Sequence, residues 1–223
     1  MSLKPPKKSD LDKNWMKRRC NKGILINPEY HLIVTEGEKT EPSFFKAVKE
    51  IINKKYRKKI QLEIVGTGGN TLGIIDRARK YIRNSNIIYK HVCIVYDTDD
   101  FPAERVNDTA EKCQEISTND TEYHAIWSNQ CVELWYLLYF EYMQSDMDRK
   151  QYFTKLDTYL ENIGQGKYEK NRNDMYDIPK PYIDTALQNA KKLDENNRGR
   201  TPWDSAPGTK VYEIIEHLKP LTK

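Results

Sequence analysis

The chain has 223 residues, of which 38% are hydrophobic and 31% charged, with a formal net charge of +4. That length and apolar content suffice for one sizeable core with a helical annex, which excludes a disordered chain. A mean hydropathy of -0.85, with no apolar run approaching the roughly 18 residues of a helical span, excludes a transmembrane helix and predicts a soluble protein with no membrane partner.

In chain order, residues 1–23 carry eight lysines and arginines against Asp10 and Asp12, a net +6 in a chain whose total is only +4. This basic arm reads either as a solvated tail or as a segment that lies along a phosphate backbone. The N-terminus lacks the apolar stretch of a signal peptide. Cys20, Cys93, Cys113 and Cys131 form no CxxC pair, and two of them sit inside apolar runs, so they read as reduced thiols and favour a cytoplasmic location.

"HLIVT" (31–35) has the β-branched character of a strand, and "PSFFKAVKEIINKKY" (42–56) follows with Phe44, Phe45, Val48, Ile51 and Ile52 at helical spacing. Pro42 fits the first turn of that helix. The alternation continues: "QLEIV" then "NTLGIIDRARKYI", "HVCIVY" then "AERVNDTAEKCQEI", "EYHAIW" then "CVELWYLLYFEY". Parallel neighbours need a crossover and a helix supplies it, so four such units predict an α/β fold, a mostly parallel sheet flanked by helices. The α/β domain is expected to span 24–142. Residues 143–223 show only helical patterns, around 149–163, 182–193 and 209–218, and are expected to form a helical region packed on the core.

The chemistry concentrates in "CIVYDTDDF" (93–101), where an apolar strand runs into three aspartates within four positions. In open α/β sheets ligands gather beyond the carboxyl ends of the strands. Glu36 follows the first strand, Asp97 and Asp99 close the third, and Glu133 lies early in the helix after the fourth. Asp97 and Asp99 share a face in extended backbone, and Glu36 joins them if the first and third strands are near one another. Two carboxylates about 5 Å apart repel by roughly 3 kcal/mol at an effective dielectric near 20, so such a cluster calls for a cation. Oxygen ligands with no His or Cys beside them select Mg²⁺ or Mn²⁺ over zinc. The plainer reading, aspartates capping the helix after Pro102, accounts for one Asp and not three.

An EF-hand is excluded, because the sixth position from Asp97 is Pro102 and the twelfth is Asp108. A haloacid-dehalogenase-type DxDx[TV] motif would open the domain rather than end its third strand, and Phe101 replaces its hydroxyl or β-branched residue.

"HLIVTEGEKTEPSFF", "IVGTGGNTLGIIDRA", "IVYDTDDF" and "WSNQCVELWYLLYFE" together resemble, in order and spacing, the RloB-like family, whose core is a TOPRIM domain. The resemblance covers residues 30 to about 142 well and the C-terminal helices more weakly. Gln130 and Val132 depart from the family's pattern and leave the acids untouched. It implies that Glu36, Asp97 and Asp99 hold Mg²⁺ for phosphodiester chemistry. It further implies a nuclease of bacterial anti-phage defence that commonly works beside an ATPase partner.

Weaker candidates accompany these. Glu133 is the one acid in an otherwise apolar helix and needs a partner, either a cation or backbone donors. Glu41, just before Pro42, reads as a helix cap. Lys39 could meet a phosphate or stay solvated. Gly68, Gly69 and Asn70 in "GTGGN" match neither GxGxxG nor a P-loop; they read as a tight turn or as a phosphate cradle. "KYEKNR" and "RGR" could hold a nucleic-acid backbone. His31, His91, His124 and His217 have no metal-motif spacing, and the three that lie at or in strands are expected only to pack or hydrogen-bond. Two other functions compete with a nuclease: a phosphotransferase or phosphatase for small molecules, and a non-catalytic nucleic-acid-binding subunit.

Overall fold

The computed structural model describes residues 29–56, 60–67, 71–98, 101–170 and 172–222. The expected alternation is present as β1 (Glu29–Thr35), α1 (Thr40–Lys55), β2 (Ile60–Gly66), α2 (Thr71–Asn84), β3 (His91–Asp97), α3 (Ala103–Ile116), β4 (Glu122–Asn129) and α4 (Glu133–Leu137). Beyond these lie α5 (Arg149–Asn162), a 3₁₀ turn at Lys180–Tyr182, α6 (Ile183–Asn196), β5 (Gly208–Thr209) and α7 (Val211–Thr222).

The sheet order is β2-β1-β3-β4-β5, with β1 through β4 parallel. This is the mostly parallel, TOPRIM-like α/β sheet that the sequence predicts. β1 lies directly beside β3, with Thr35 opposite Val95 and His31 opposite His91. The condition for bringing Glu36 to the aspartates is therefore met.

Side-chain alternation gives the sheet two apolar faces, as parallel sheets require. One carries Leu32, Val34, Val92, Ile94 and Tyr96 under α2 and α3 through Ile74, Ile75, Ala78, Val106 and Cys113. The other carries Ile33, Leu62, Val95 and Ile126 under α1, and its apolar cluster runs on through Trp135, Tyr152, Leu156, Leu187, Ile214 and Leu218. The helices beyond residue 142 thus bury their apolar stripes in the same core as α1. α5 starts from a capping box in which Asp148 accepts from Lys150 N–H and Gln151 Oε1 accepts from Asp148 N–H.

Two expectations need correction. The helix expected across "CVELWYLLYFEY" stops after Glu133–Leu137. The Leu138 carbonyl accepts from Asn189 Nδ2 at 2.9 Å, and Phe140 stacks on Tyr159 with ring centroids 5.0 Å apart. Tertiary partners therefore replace the next helical turn. The C-terminal region is also not purely helical, because β5 pairs antiparallel with Ser128 and Asn129. The Ser128 and Thr209 hydroxyls meet there at 2.8 Å. Two residues carry no periodicity, so no pattern could announce this strand.

Cys113 and Cys131 are buried and Cys93 half-buried, all three free thiols. No helix among the described residues is long and apolar enough to cross a membrane.

Candidate metal and phosphodiester site

The C-terminal edge of the sheet gathers the acids. Glu36 stands one residue past β1, where its N–H donates to the Val95 carbonyl at 2.9 Å and extends the β1–β3 ladder. Asp97 is the last residue of β3, level with Ser128 of β4. Both carboxylates thus rise from neighbouring strand ends, and one Glu36 oxygen is withdrawn from solvent. Asp99 and the segment Gly68, Gly69 and Asn70 lie outside the described residues, as does the basic arm. α3 begins with Pro102 as its N-cap and no cap bond from that side chain. Asp97 lies well upstream of that cap, so capping does not account for it.

A second layer lies behind. Glu133, the first residue of α4, is 3% exposed, and its Oε1 accepts from the Tyr168 hydroxyl at 2.7 Å. Glu41 is 5% exposed in the first turn of α1, and its Oε1 accepts from Gly37 N–H at 3.3 Å. A Cβ at Gly37 would run into that carboxylate, so a larger residue there would displace the Glu41 side chain. Lys39 is the N-cap of α1, so the sequence reading of Glu41 as a cap becomes a buried carboxylate closing the loop ahead of the helix.

These groups report one another's charge. Burial raises the Glu41 pKa and the charge of Glu133 adds to it, opposed by backbone donors and Lys170. The Tyr136 hydroxyl is pushed well up by burial, then by Glu133, Glu41 and Asp97. Burial, then Glu133 and Asp97, also raises the Cys131 thiol. Cys131 thus stands beside the acids, where the sequence pattern indicated no cysteine. The carboxylate oxygens at the strand ends are hard donors of the kind that suits Mg²⁺ or Mn²⁺.

Tyr168 belongs to "KYEKNR", and the same loop is pinned by Thr40 Oγ1 donating to the Lys170 carbonyl at 2.7 Å. The loop thus lies against the acidic edge with Lys167 and Lys170 exposed. Arg172 is differently employed: it forms a fork with Asp174, two bonds of 2.8 Å, and donates to the Gln165 and Lys167 carbonyls. Lys39 is exposed in the β1–α1 loop. Within "RGR", Arg198 pairs with Glu195, and Arg200 contacts Asn197 at 3.5 Å. A groove of about 470 Å³ opens beside Thr98 and Asn129 and is lined by Gln130, Arg149 and Trp203. Asn129 Nδ2 holds the Trp203 carbonyl at 2.8 Å and so fixes that wall.

Sequence reasoning placed Glu36, Asp97 and Glu133 at one edge, and the structure brings them there. It missed Tyr168, which no motif marks, and undervalued Glu41. A cheaper signal existed for Glu41: a carboxylate one turn before Phe44 and Phe45 lies on the apolar side of its own helix.

Compared with known proteins, residues 31–218 match the model of the family described as RloB-like protein. No curated protein and no solved structure matches.

Proposed function

The chain belongs to the RloB-like family, and from that premise we propose that it is a Mg²⁺- or Mn²⁺-dependent nuclease hydrolysing nucleic-acid phosphodiester bonds in bacterial anti-phage defence. The observation that carries this reading is the parallel pairing of β1 with β3, which sets Glu36 and Asp97 on adjacent strand ends in front of buried Glu133 and Glu41.

Glu36 and Asp97, with Asp99, are the residues that would hold the cation. A bound Mg²⁺ or Mn²⁺ supplies a more acidic water and neutralises charge developing on the phosphate. Glu36 can instead take the proton of the attacking water as general base. Glu133 is held in place behind this acidic edge by the Tyr168 hydroxyl. Lys39, Lys167 and Lys170, all exposed around it, offer the cations that a polyanion backbone needs. The net +6 of the basic arm would add to them. An ATPase partner and a cytoplasmic setting belong to the same proposal.

The test is incubation of the full chain with labelled DNA, tRNA and messenger RNA, with Mg²⁺, Mn²⁺ or chelator, alone and with the partner ATPase. Metal-dependent cleavage is expected, and Asp97→Asn should lower it at least about a hundredfold while the fold persists. No cleavage of any polymer with metal and partner supplied would contradict the proposal. Turnover of a phosphomonoester alone would replace it with a small-molecule phosphatase.

A further inference from the structure

The N-terminal edge of the same sheet holds a second cluster that phosphodiester chemistry does not use. β1 and β3 pair with His31 opposite His91, and β3 and β4 pair with His91 opposite Glu122. Residues level with one another in parallel strands share a face, and so do residues two apart in one strand. Glu29, His31, His91, Glu122 and His124 therefore stand on one face, and α7, packed on α1 and β4, lowers His217 onto them. The His31 and His91 rings stack with centroids 5.2 Å apart, and His217 approaches them at 5.2 and 4.6 Å. The rings and Glu122 line a pocket of about 250 Å³.

An imidazole network alone does not explain this geometry. His91 Nδ1 does meet His124 Nε2 at 3.1 Å, as the sequence reading expected of histidines that only hydrogen-bond. His31 does not fit that account. It is 3% exposed, and its Nε2 is buried with no hydrogen-bond partner. The Glu29 carboxylate lies 3.9 Å away, beyond hydrogen-bond reach. A buried, unpartnered nitrogen is costly and is relieved by whatever accepts its lone pair.

Glu29, His31, His91 and His217 each present one ligand atom, and these atoms lie within 4.8 Å of one another. A tetrahedron with bonds of about 2.0 Å has edges of about 3.3 Å. The four must therefore close slightly, and Glu29 and His217, nearest the surface, are free to do so. His91 is already aimed: its Nε2 is 3.4 Å from Glu29 Oε1, and its Nδ1 is 3.4 Å from Glu122 Oε2. A hydrogen-bond partner on the far nitrogen, here His124 Nε2 with Glu122 beside it, is a usual means of orienting a ligating histidine. Three imidazoles and one carboxylate form a borderline donor set that suits zinc rather than magnesium.

We propose that Glu29, His31, His91 and His217 form a site for a zinc-class divalent cation that fastens α7 to the N-terminal edge of the sheet. The site stands six residues up β3 from Asp97, about 20 Å at the usual strand rise. It does not depend on the phosphodiester reading.

Untagged, chelator-stripped full-length protein is titrated with Co²⁺ as a visible probe. One equivalent should develop the intense absorption of tetrahedral cobalt, which Zn²⁺ bleaches and Mg²⁺ leaves. His217→Ala and Glu29→Gln, both outside the core, should each weaken Co²⁺ binding at least about tenfold and remove the rise in melting temperature that Zn²⁺ gives the wild type. Asp97→Asn should change neither. The absence of a tetrahedral spectrum, or a spectrum indifferent to both edge variants, would overturn the proposal.

Discussion

At the carboxyl end of the sheet Glu36, Glu41, Asp97 and Glu133 gather oxygen donors, while at the amino end His31, His91, His124 and His217 gather nitrogen donors. One ladder makes both: the register that sets Thr35 opposite Val95 also sets His31 opposite His91. The difference lies in what fills the rows. Acids at strand ends repel and call for a hard cation or a polyanion's counter-charge. Imidazoles in a row stay neutral when buried and call for a borderline metal. In a parallel sheet a single register decision therefore places two clusters of unlike chemistry at opposite ends of the same strands.

At the acidic edge the largest stability effect expected belongs to Tyr168. Its hydroxyl satisfies a buried carboxylate at 2.7 Å, and a hydrogen bond to a charged group is worth about 1.5–3 kcal/mol. Tyr168→Phe should destabilise the protein by that amount in urea unfolding and leave Co²⁺ binding at the histidine edge untouched. A loss of cobalt affinity in this variant would show that the two edges are coupled.

Metal linkage comes next. Wild type should gain about 1.4 kcal/mol with Mg²⁺ or Mn²⁺ at ten times the dissociation constant, and Asp97→Asn should lose that gain while holding or raising stability in chelator. Thermal unfolding measures both. A loss near 1 kcal/mol in chelator with no metal response in wild type would make Asp97 a structural residue.

A pH effect separates the edges by sign. Burial lowers the pKa values of His31, His91 and His124 from 6.5, His31 to about 3. Between pH 6.5 and 3 the unfolded chain therefore binds more protons than the folded one. This contribution is full above pH 6.5 and is lost as pH falls toward 3. Glu41, raised from 4.5, behaves oppositely: its contribution is present below 4.5 and is lost as pH rises through its folded value. In chelator, His31→Gln should flatten the acid limb of the stability curve, and Glu41→Gln should ease the loss on its alkaline side. An unchanged acid limb in His31→Gln would contradict the burial account of that ring.

The sheet was legible because each strand is a short β-branched run followed by a 3.6-residue period, and the structure extends those runs by at most two residues at either end. The acids were legible because strand ends converge at one edge in any parallel sheet. β5 was not, having two residues and no pattern, and α4 stopped early because Asn189, 51 positions away, takes a carbonyl the next turn would use. The histidine row was hidden for another reason. Its spacing is across strands, not along the chain, although "HLIVT" and "HVCIVY" both open on histidine. Once β1 and β3 are neighbours, those first residues fall level with one another. Tyr168 left no trace at all, since a loop tyrosine meets Glu133 only through the tertiary fold.

On the two proposals together, one sheet would carry a hard-cation site at one end and a zinc-class site at the other. Crystals grown with both Mn²⁺ and Zn²⁺, with anomalous diffraction recorded at each metal's absorption edge, address it most directly. The account predicts a manganese peak between the Glu36 and Asp97 carboxylates and a zinc peak among Glu29, His31, His91 and His217. Zinc at both ends, or no manganese at Glu36 and Asp97, would contradict it.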